Sequence, residues 1–141
     1  MFKKLLVPID MSSPEAGLRS CPRARELQDA FGCEVHLMSV LPGYSMPMVA
    51  AYFPQSAVDA MREKVLGEME VLAQRYFDKT PKISVRTGKR AKEILALADE
   101  WGPDLIVFGC VPKDALGGEL MLGSCGQAVS ERAKCSVLVA R

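Results

Sequence analysis

The chain has 141 residues, with 18 basic and 17 acidic side chains and a formal net charge of +1. A domain of this length can bury a stable core without disulfides or a structural metal. The near-neutral charge offers no extended basic surface for nucleic acid or anionic membrane, so neither is expected as a partner. We therefore predict one domain over residues 1–141.

The first ten residues, "MFKKLLVPID", bear on where the protein is found. Two lysines precede an apolar run that Pro8 and Asp10 end too early for a signal peptide or a membrane span. The chain has five cysteines, an odd number, and no two of them are close in sequence. A disulfide framework would have an even number, and a zinc site would have closely spaced pairs. We expect a cytoplasmic protein with reduced thiols and no membrane insertion.

The first strand is predicted at the apolar run of "FKKLLVPID". The first helix should begin with a serine cap before Pro14 and end at Phe31, where Gly32 stops it. Pro22 lies inside this helix and removes a backbone donor, so we expect a kink or a break near Ser20.

Strand and helix patterns continue to alternate along the chain. After the second strand, "LPGYSMPMVAAYFPQ" predicts an irregular, apolar loop. Further apolar runs predict strands, and apolar residues at three- and four-residue spacing predict helices. These elements are strands at 33–40, 82–88, 103–109 and 135–141, and helices at 58–76, 91–102 and 123–134.

This alternation predicts an α/β fold, a Rossmann-like open sheet of five parallel strands with helices on both faces. In the common strand order, 3-2-1-4-5, the first strand lies beside the fourth. Ligands of such sheets bind beyond the carboxyl ends of the strands, where the order reverses. Asp10 and Gly109 are then expected to face each other across that crevice.

Two kinds of group at the crevice suit a nucleotide. Asp10 could accept hydrogen bonds from ribose hydroxyls, and the backbone N–H groups of Gly123, Ser124 and Cys125 could bind phosphate at a helix N-terminus. An alternative is that Asp10 only caps the turn into the first helix.

Several segments, in this order and over essentially the whole chain, resemble the universal stress protein family, in particular its small single-domain bacterial members. The segments are "LLVPID", "HLMSV", "GKRAKEILALADEWGPDLIVFG" and "LGS…CSVLVAR". The resemblance implies a five-stranded Rossmann-like sheet and an adenine-nucleotide site. ATP is the expected ligand, with AMP or ADP as alternatives and Mg²⁺ as its companion.

Many members of that family bind ATP through the pattern G-x2-G-x9-G-[ST]. Carried over to this chain, the pattern and its neighbouring contacts imply a site formed by Pro8, Asp10, Val40, Gly109, Gly123, Ser124, Cys125 and Gly126.

The chain departs from the family pattern in two ways. Pro112 replaces the second glycine, and the interval from Gly109 to Gly123 is one residue longer. Proline has no backbone N–H and a fixed φ, so any contact that a glycine makes there is lost. Lys113 could bind a phosphate as a point charge, or it could be a solvated loop cation.

The function implied by the resemblance is that of an ATP-binding regulatory protein acting as a homodimer in the stress response. Its last strand is expected to pair across a twofold axis, with a higher oligomer as a further option. The alternative is a nucleotide-free, dimeric interaction module that regulates a partner such as a transporter.

We do not expect an enzyme, beyond slow, incidental ATP hydrolysis. His36 is the single histidine and lies in a predicted strand, where a packed role is expected. Cys125, at a helix N-terminus, is expected to be somewhat more acidic than a free thiol.

Overall fold

The computed structural model describes residues 1–13, 15–43, 54–112 and 120–141. Strands and helices alternate as the sequence predicts. The strands are β1 (Lys4–Pro8), β2 (Glu34–Pro42), β3 (Lys82–Gly88), β4 (Leu105–Gly109), β5 (Val111–Pro112), β6 (Leu120–Met121) and β7 (Ser136–Ala140). The helices are α1 (Glu15–Phe31), α2 (Gln55–Tyr76), α3 (Arg90–Trp101) and α4 (Gly123–Arg132).

Five parallel strands form the main sheet in the order β3-β2-β1-β4-β7. This confirms the predicted order 3-2-1-4-5, with β7 as the fifth long strand. The second strand runs two residues further than predicted because Leu41 and Pro42 still pair with Thr87 and Gly88 of β3. The short antiparallel pair of β5 and β6 was not predicted.

The sheet separates two apolar cores, since successive side chains of a strand point to opposite faces. Leu5 and Val7 pack on the face covered by α1 and α2, in the core that contains Met69. Leu6 packs on the opposite face against α3 and α4, in the core that contains Val129. Both faces of the sheet are therefore covered, which explains the continuously apolar runs of its central strands.

The break expected in the first helix is wrong, because α1 runs without interruption through Pro22. A proline removes only one backbone hydrogen bond from a helix. Cys21 and Ala24, on either side of it, are fully buried against the sheet and hold the helix in place. The predicted end is confirmed: Gly32 has φ +67° and follows the last helical residue.

His36 occupies the packed position in β2 that the sequence predicts. Its Nε2 atom lies 2.6 Å from Ser84 Oγ, and its ring meets the Trp101 ring edge-on at a centroid distance of 4.9 Å. Burial, reinforced by two nearby cations, lowers the pKa of His36 below its ordinary value.

All five cysteines are free. Within the described ranges, no helix has both the length and the apolar character needed to cross a membrane.

Candidate functional site

A cavity of about 210 Å³ lies at the carboxyl ends of β1, β2 and β4, where the N-terminal ends of α3 and α4 meet the sheet. It brings together all but one of the site residues implied by the sequence. Those on the cavity are Pro8, Asp10, Val40, Gly109, Gly123, Ser124, Cys125 and Gly126. Lys113, Gly117 and Gly118 lie outside the described residues, as does most of the apolar loop after β2.

The carboxylate of Asp10 is engaged on both oxygens. Oδ1 accepts hydrogen bonds from the backbone N–H of Ser12 at 3.0 Å and from its hydroxyl at 2.6 Å. Oδ2 lies 2.7 Å from Nη1 of Arg90. The turn-capping role is therefore present in the structure, and it coexists with a place on the cavity wall. A carboxylate oxygen can accept more than one bond, so Asp10 keeps acceptor capacity for a ligand.

Arg90 is a cavity residue that the sequence did not indicate. It is the first residue of α3 and the one cationic side chain among the described residues that line the cavity. Nothing in the local sequence distinguishes Arg90 from Lys89. The ion pair joins the first residue of α3 to a residue just after β1, so only the folded chain identifies it.

Gly109 lies at the cavity, but its lack of a side chain has a separate structural reason. A Cβ atom placed on Gly109 would be 1.9 Å from the carbonyl oxygen of Ala16 and 2.6 Å from its carbonyl carbon. The first turn of α1 thus lies directly against the end of β4. Glycine is required there for backbone packing, whether or not a phosphate approaches.

The start of α4 presents backbone N–H groups to the cavity. Gly123 begins the helix with φ +83°, a conformation that favours glycine. Leu122 precedes it and makes no capping hydrogen bond through its side chain. The first N–H groups of a helix have no intrahelical acceptor, and the helix dipole adds a partial positive charge. This wall can therefore receive an anionic group.

Cys125 does not have the acidity expected from its place at a helix N-terminus. Burial raises the pKa of its thiol above the ordinary value, the nearby Arg90 charge opposes that rise, and the Asp10 charge adds to it. The desolvation of the thiolate is the largest of these effects at this half-buried position. Cys110 is buried and is not among the residues that line the cavity.

The rest of the cavity wall is mostly apolar. Of its apolar residues, the sequence implied only Pro8 and Val40. Its members come from the ends of three strands, from α3 and from the residue before α4. They are Pro8, Ile9, Met38, Val40, Ile94, Phe108 and Leu122. Such a wall suits a flat, weakly polar ring, with Asp10, Arg90 and the α4 N-terminus supplying the polar contacts.

Together these features define an open, parallel α/β protein with a cavity where the strand order reverses, between β1 and β4. The chain belongs to the universal stress protein family, whose profile matches residues 1–141. The resemblance noted in the sequence is thereby confirmed. Universal stress protein YxiE of Bacillus subtilis is 31% identical over 150 residues, covering 100% of both chains.

Solved structures share this fold. A hypothetical protein whose structure served as a test of assigning biochemical function superimposes with a TM-score of 0.79 at 25% identity, covering 99% of this chain and 96% of its own. A universal stress protein in complex with cAMP superimposes with a TM-score of 0.69 at 24% identity, covering 99% of this chain and 97% of its own. The universal stress protein from Archaeoglobus fulgidus in complex with dAMP superimposes with a TM-score of 0.65 at 17% identity, covering 99% of this chain and 98% of its own.

Proposed function

We propose that this protein is a cytoplasmic regulatory protein of the stress response that binds an adenine nucleotide in the cavity at the carboxyl ends of β1, β2 and β4. ATP is the proposed ligand, with AMP or ADP as alternatives, and it binds without turnover beyond slow, incidental hydrolysis. The observation that carries the proposal is the convergence of an apolar wall, the Asp10 carboxylate and the uncapped start of α4 on one cavity.

Each part of an adenine nucleotide has a chemically suitable wall. The base is apolar on its faces and would pack between Val40 and the neighbouring apolar side chains. Ribose hydroxyls would donate to Asp10, and phosphate oxygens would accept from the N–H groups of Gly123 and Ser124. Mg²⁺ would enter on the phosphates, because it is usually held by phosphate oxygens, water and one or two carboxylates. The structures of relatives in complex with cAMP and dAMP support this class of ligand.

A charge at the start of α4 tests the phosphate end of this proposal. Ser124 is exposed at the N-terminus of the helix, where an acidic side chain is favourable for folding. Ser124→Glu should therefore fold normally and weaken ATP binding by roughly tenfold, while adenosine binding changes little. Gln127→Glu adds the same charge on the same helix at an exposed residue that does not line the cavity, so it is the matched control.

Titration calorimetry with ATP and Mg²⁺ measures both variants against the parent protein. If the parent gives no heat at high protein concentration and carries no nucleotide through purification, ATP binding is ruled out. If Ser124→Glu and Gln127→Glu bind ATP equally well, the phosphates do not lie at the start of α4.

We also propose that the protein forms a homodimer through β7. Among the described strands, β7 pairs only with β4. The backbone N–H of Cys110 donates to the carbonyl of Ala140 at 2.9 Å, so Ala140 directs its backbone groups toward β4. Backbone groups alternate in direction along a strand, and those of Val137 and Val139 therefore face the free edge. A second copy of β7 could complete their hydrogen bonds.

Val139→Pro removes one edge-facing N–H and should convert the dimer to a monomer in sedimentation velocity. Val139→Ala shortens the side chain but keeps that N–H, so it should remain dimeric. A monomeric parent protein would exclude the β7 dimer.

The same free edge supports the alternative function, a nucleotide-free dimeric interaction module that regulates a partner such as a transporter. Pro112, which lacks a backbone N–H at the position of the family's second glycine, also favours it. A stable dimer that fails to bind any adenine nucleotide would select this alternative.

A further inference from the structure

Arg90 has donor capacity that its contacts with the described residues do not use. Its Nη1 atom lies 2.7 Å from Asp10 Oδ2, whereas Nη2 lies 3.5 Å from Ser12 Oγ, at the limit of a hydrogen bond. A guanidinium carries five N–H donors in a fixed fork. The side chain is 45% exposed, so a ligand in the cavity can reach it.

The charge of Arg90 also acts on the wall formed by α4. It lowers the pKa of the Cys125 thiol against the larger effect of burial, and Asp10 acts in the opposite direction. The ion pair and the start of α4 are thus close enough to interact electrostatically. An anion in the cavity would experience both the guanidinium and the helix N-terminus.

An acid and an arginine at this edge of a sheet have distinct uses in nucleotide recognition. In open α/β sheets, an acidic residue near the strand end accepts from ribose hydroxyls, and an arginine nearby accommodates a phosphate on the ribose. Here Asp10 and Arg90 occupy one place and are paired. A plain ribose can share Oδ2 with Arg90, but it offers no anionic partner to the unused donors of the guanidinium. A phosphate on the 2′ or 3′ oxygen offers that partner, because a guanidinium can bind phosphate with two parallel hydrogen bonds.

We propose that Arg90 makes the cavity selective for adenine nucleotides that carry a phosphate on the ribose 2′ or 3′ oxygen, as a monoester or as a cyclic diester. This inference rests on the proposed function, because the same cavity binds the adenine nucleotide; ATP, ADP and AMP, which carry no phosphate on the ribose 2′ or 3′ oxygen, are then its weaker ligands. Arg90 is then a specificity-determining residue, and the Asp10–Arg90 ion pair is the arrangement of the site before ligand binds.

The test compares three isomers of equal charge, 2′-AMP, 3′-AMP and 5′-AMP, together with 3′,5′-cyclic AMP, a diester that carries less negative charge. Titration calorimetry at one near-physiological ionic strength measures 2′-AMP, 3′-AMP, 3′,5′-cyclic AMP and 5′-AMP with the full chain. The parent protein is expected to bind at least one of the first three about tenfold more tightly than 5′-AMP, the scale of one charge-assisted hydrogen bond at a partly exposed site. Arg90→Gln should remove this preference, because it should weaken the ribose-phosphorylated ligands more than it weakens 5′-AMP.

Lys89→Gln is the matched control. Lys89 is the neighbouring cation, it is exposed, and it does not line the cavity, so this variant should keep the preference of the parent. Arg90→Lys keeps the charge without the fork and should retain only part of the preference. Thermal melting of each variant verifies that the fold is intact.

The outcomes separate this inference from the proposed function. If the parent binds none of the four nucleotides and does not bind ATP, the proposed function fails and the inference fails with it. If 5′-AMP binds the parent as tightly as 2′-AMP, 3′-AMP and cyclic AMP do, the selectivity is refuted while nucleotide binding stands. If Arg90→Gln weakens all four ligands equally, Arg90 is a general phosphate contact and the selectivity is again refuted.

Discussion

Gly109→Ala is expected to destabilise the protein by about 3 kcal/mol, because the end of β4 has no room for a side chain. The added Cβ would lie 1.9 Å from the carbonyl oxygen of Ala16. An ordinary carbon–oxygen contact is about 3.3 Å, so the first turn of α1 must move by about 1.4 Å. Overpacking usually costs about 1–3 kcal/mol, and the upper end applies here because backbone atoms cannot rotate away as a side chain can.

Urea unfolding followed by circular dichroism measures this loss, which corresponds to a fall of roughly 10 °C in melting temperature. Gly67→Ala is the control: Gly67 lies inside α2, and a Cβ there meets no atom within 4 Å. That change should stabilise the protein by about 0.5–1 kcal/mol, since alanine is the better helix former. The packing explanation of Gly109 is refuted if Gly109→Ala unfolds within about 0.5 kcal/mol of the parent protein.

Three further predictions concern the core and the titrating groups. Burial, and to a smaller extent two nearby cations, lowers the pKa of His36 in the folded chain. Below a pH of about 6.5 the unfolded chain therefore binds more protons than the folded chain does. Stability should therefore rise with pH between about 5 and 7, and urea midpoints of His36→Gln should rise less steeply; an unchanged slope would contradict this. Because burial raises the pKa of Cys125, iodoacetamide should modify that thiol more slowly than free cysteine at the same pH, which peptide mapping detects; faster modification would refute the assignment. Met69→Ala should cost about 2–4 kcal/mol in urea unfolding because Met69 is fully buried, whereas Met61→Ala, on the same helix and 40% exposed, should cost less than about 1 kcal/mol; equal losses would contradict the predicted core.

Most of the fold could be predicted from the sequence because its signals are local. Gly32 and Gly102 end their helices in the left-handed conformation, which few other residues adopt. Apolar runs mark strands that are covered on both faces, and their alternation with helices leads to a parallel sheet. Pro22 shows the limit of local reasoning, since the packing of α1 against the sheet outweighs the hydrogen bond that proline removes.

The candidate site likewise has some features that local sequence signals predict and others that depend on tertiary packing. The meeting of Asp10, Gly109 and the start of the last helix at one edge of the sheet could be predicted from the sequence, because parallel strands all have their carboxyl ends at that edge. The Arg90–Asp10 ion pair, the contact with Ala16 that requires glycine at position 109, and the burial that raises the pKa of Cys125 are seen only in the folded chain. These properties depend on atoms brought together from distant parts of the chain, so no local pattern carries them.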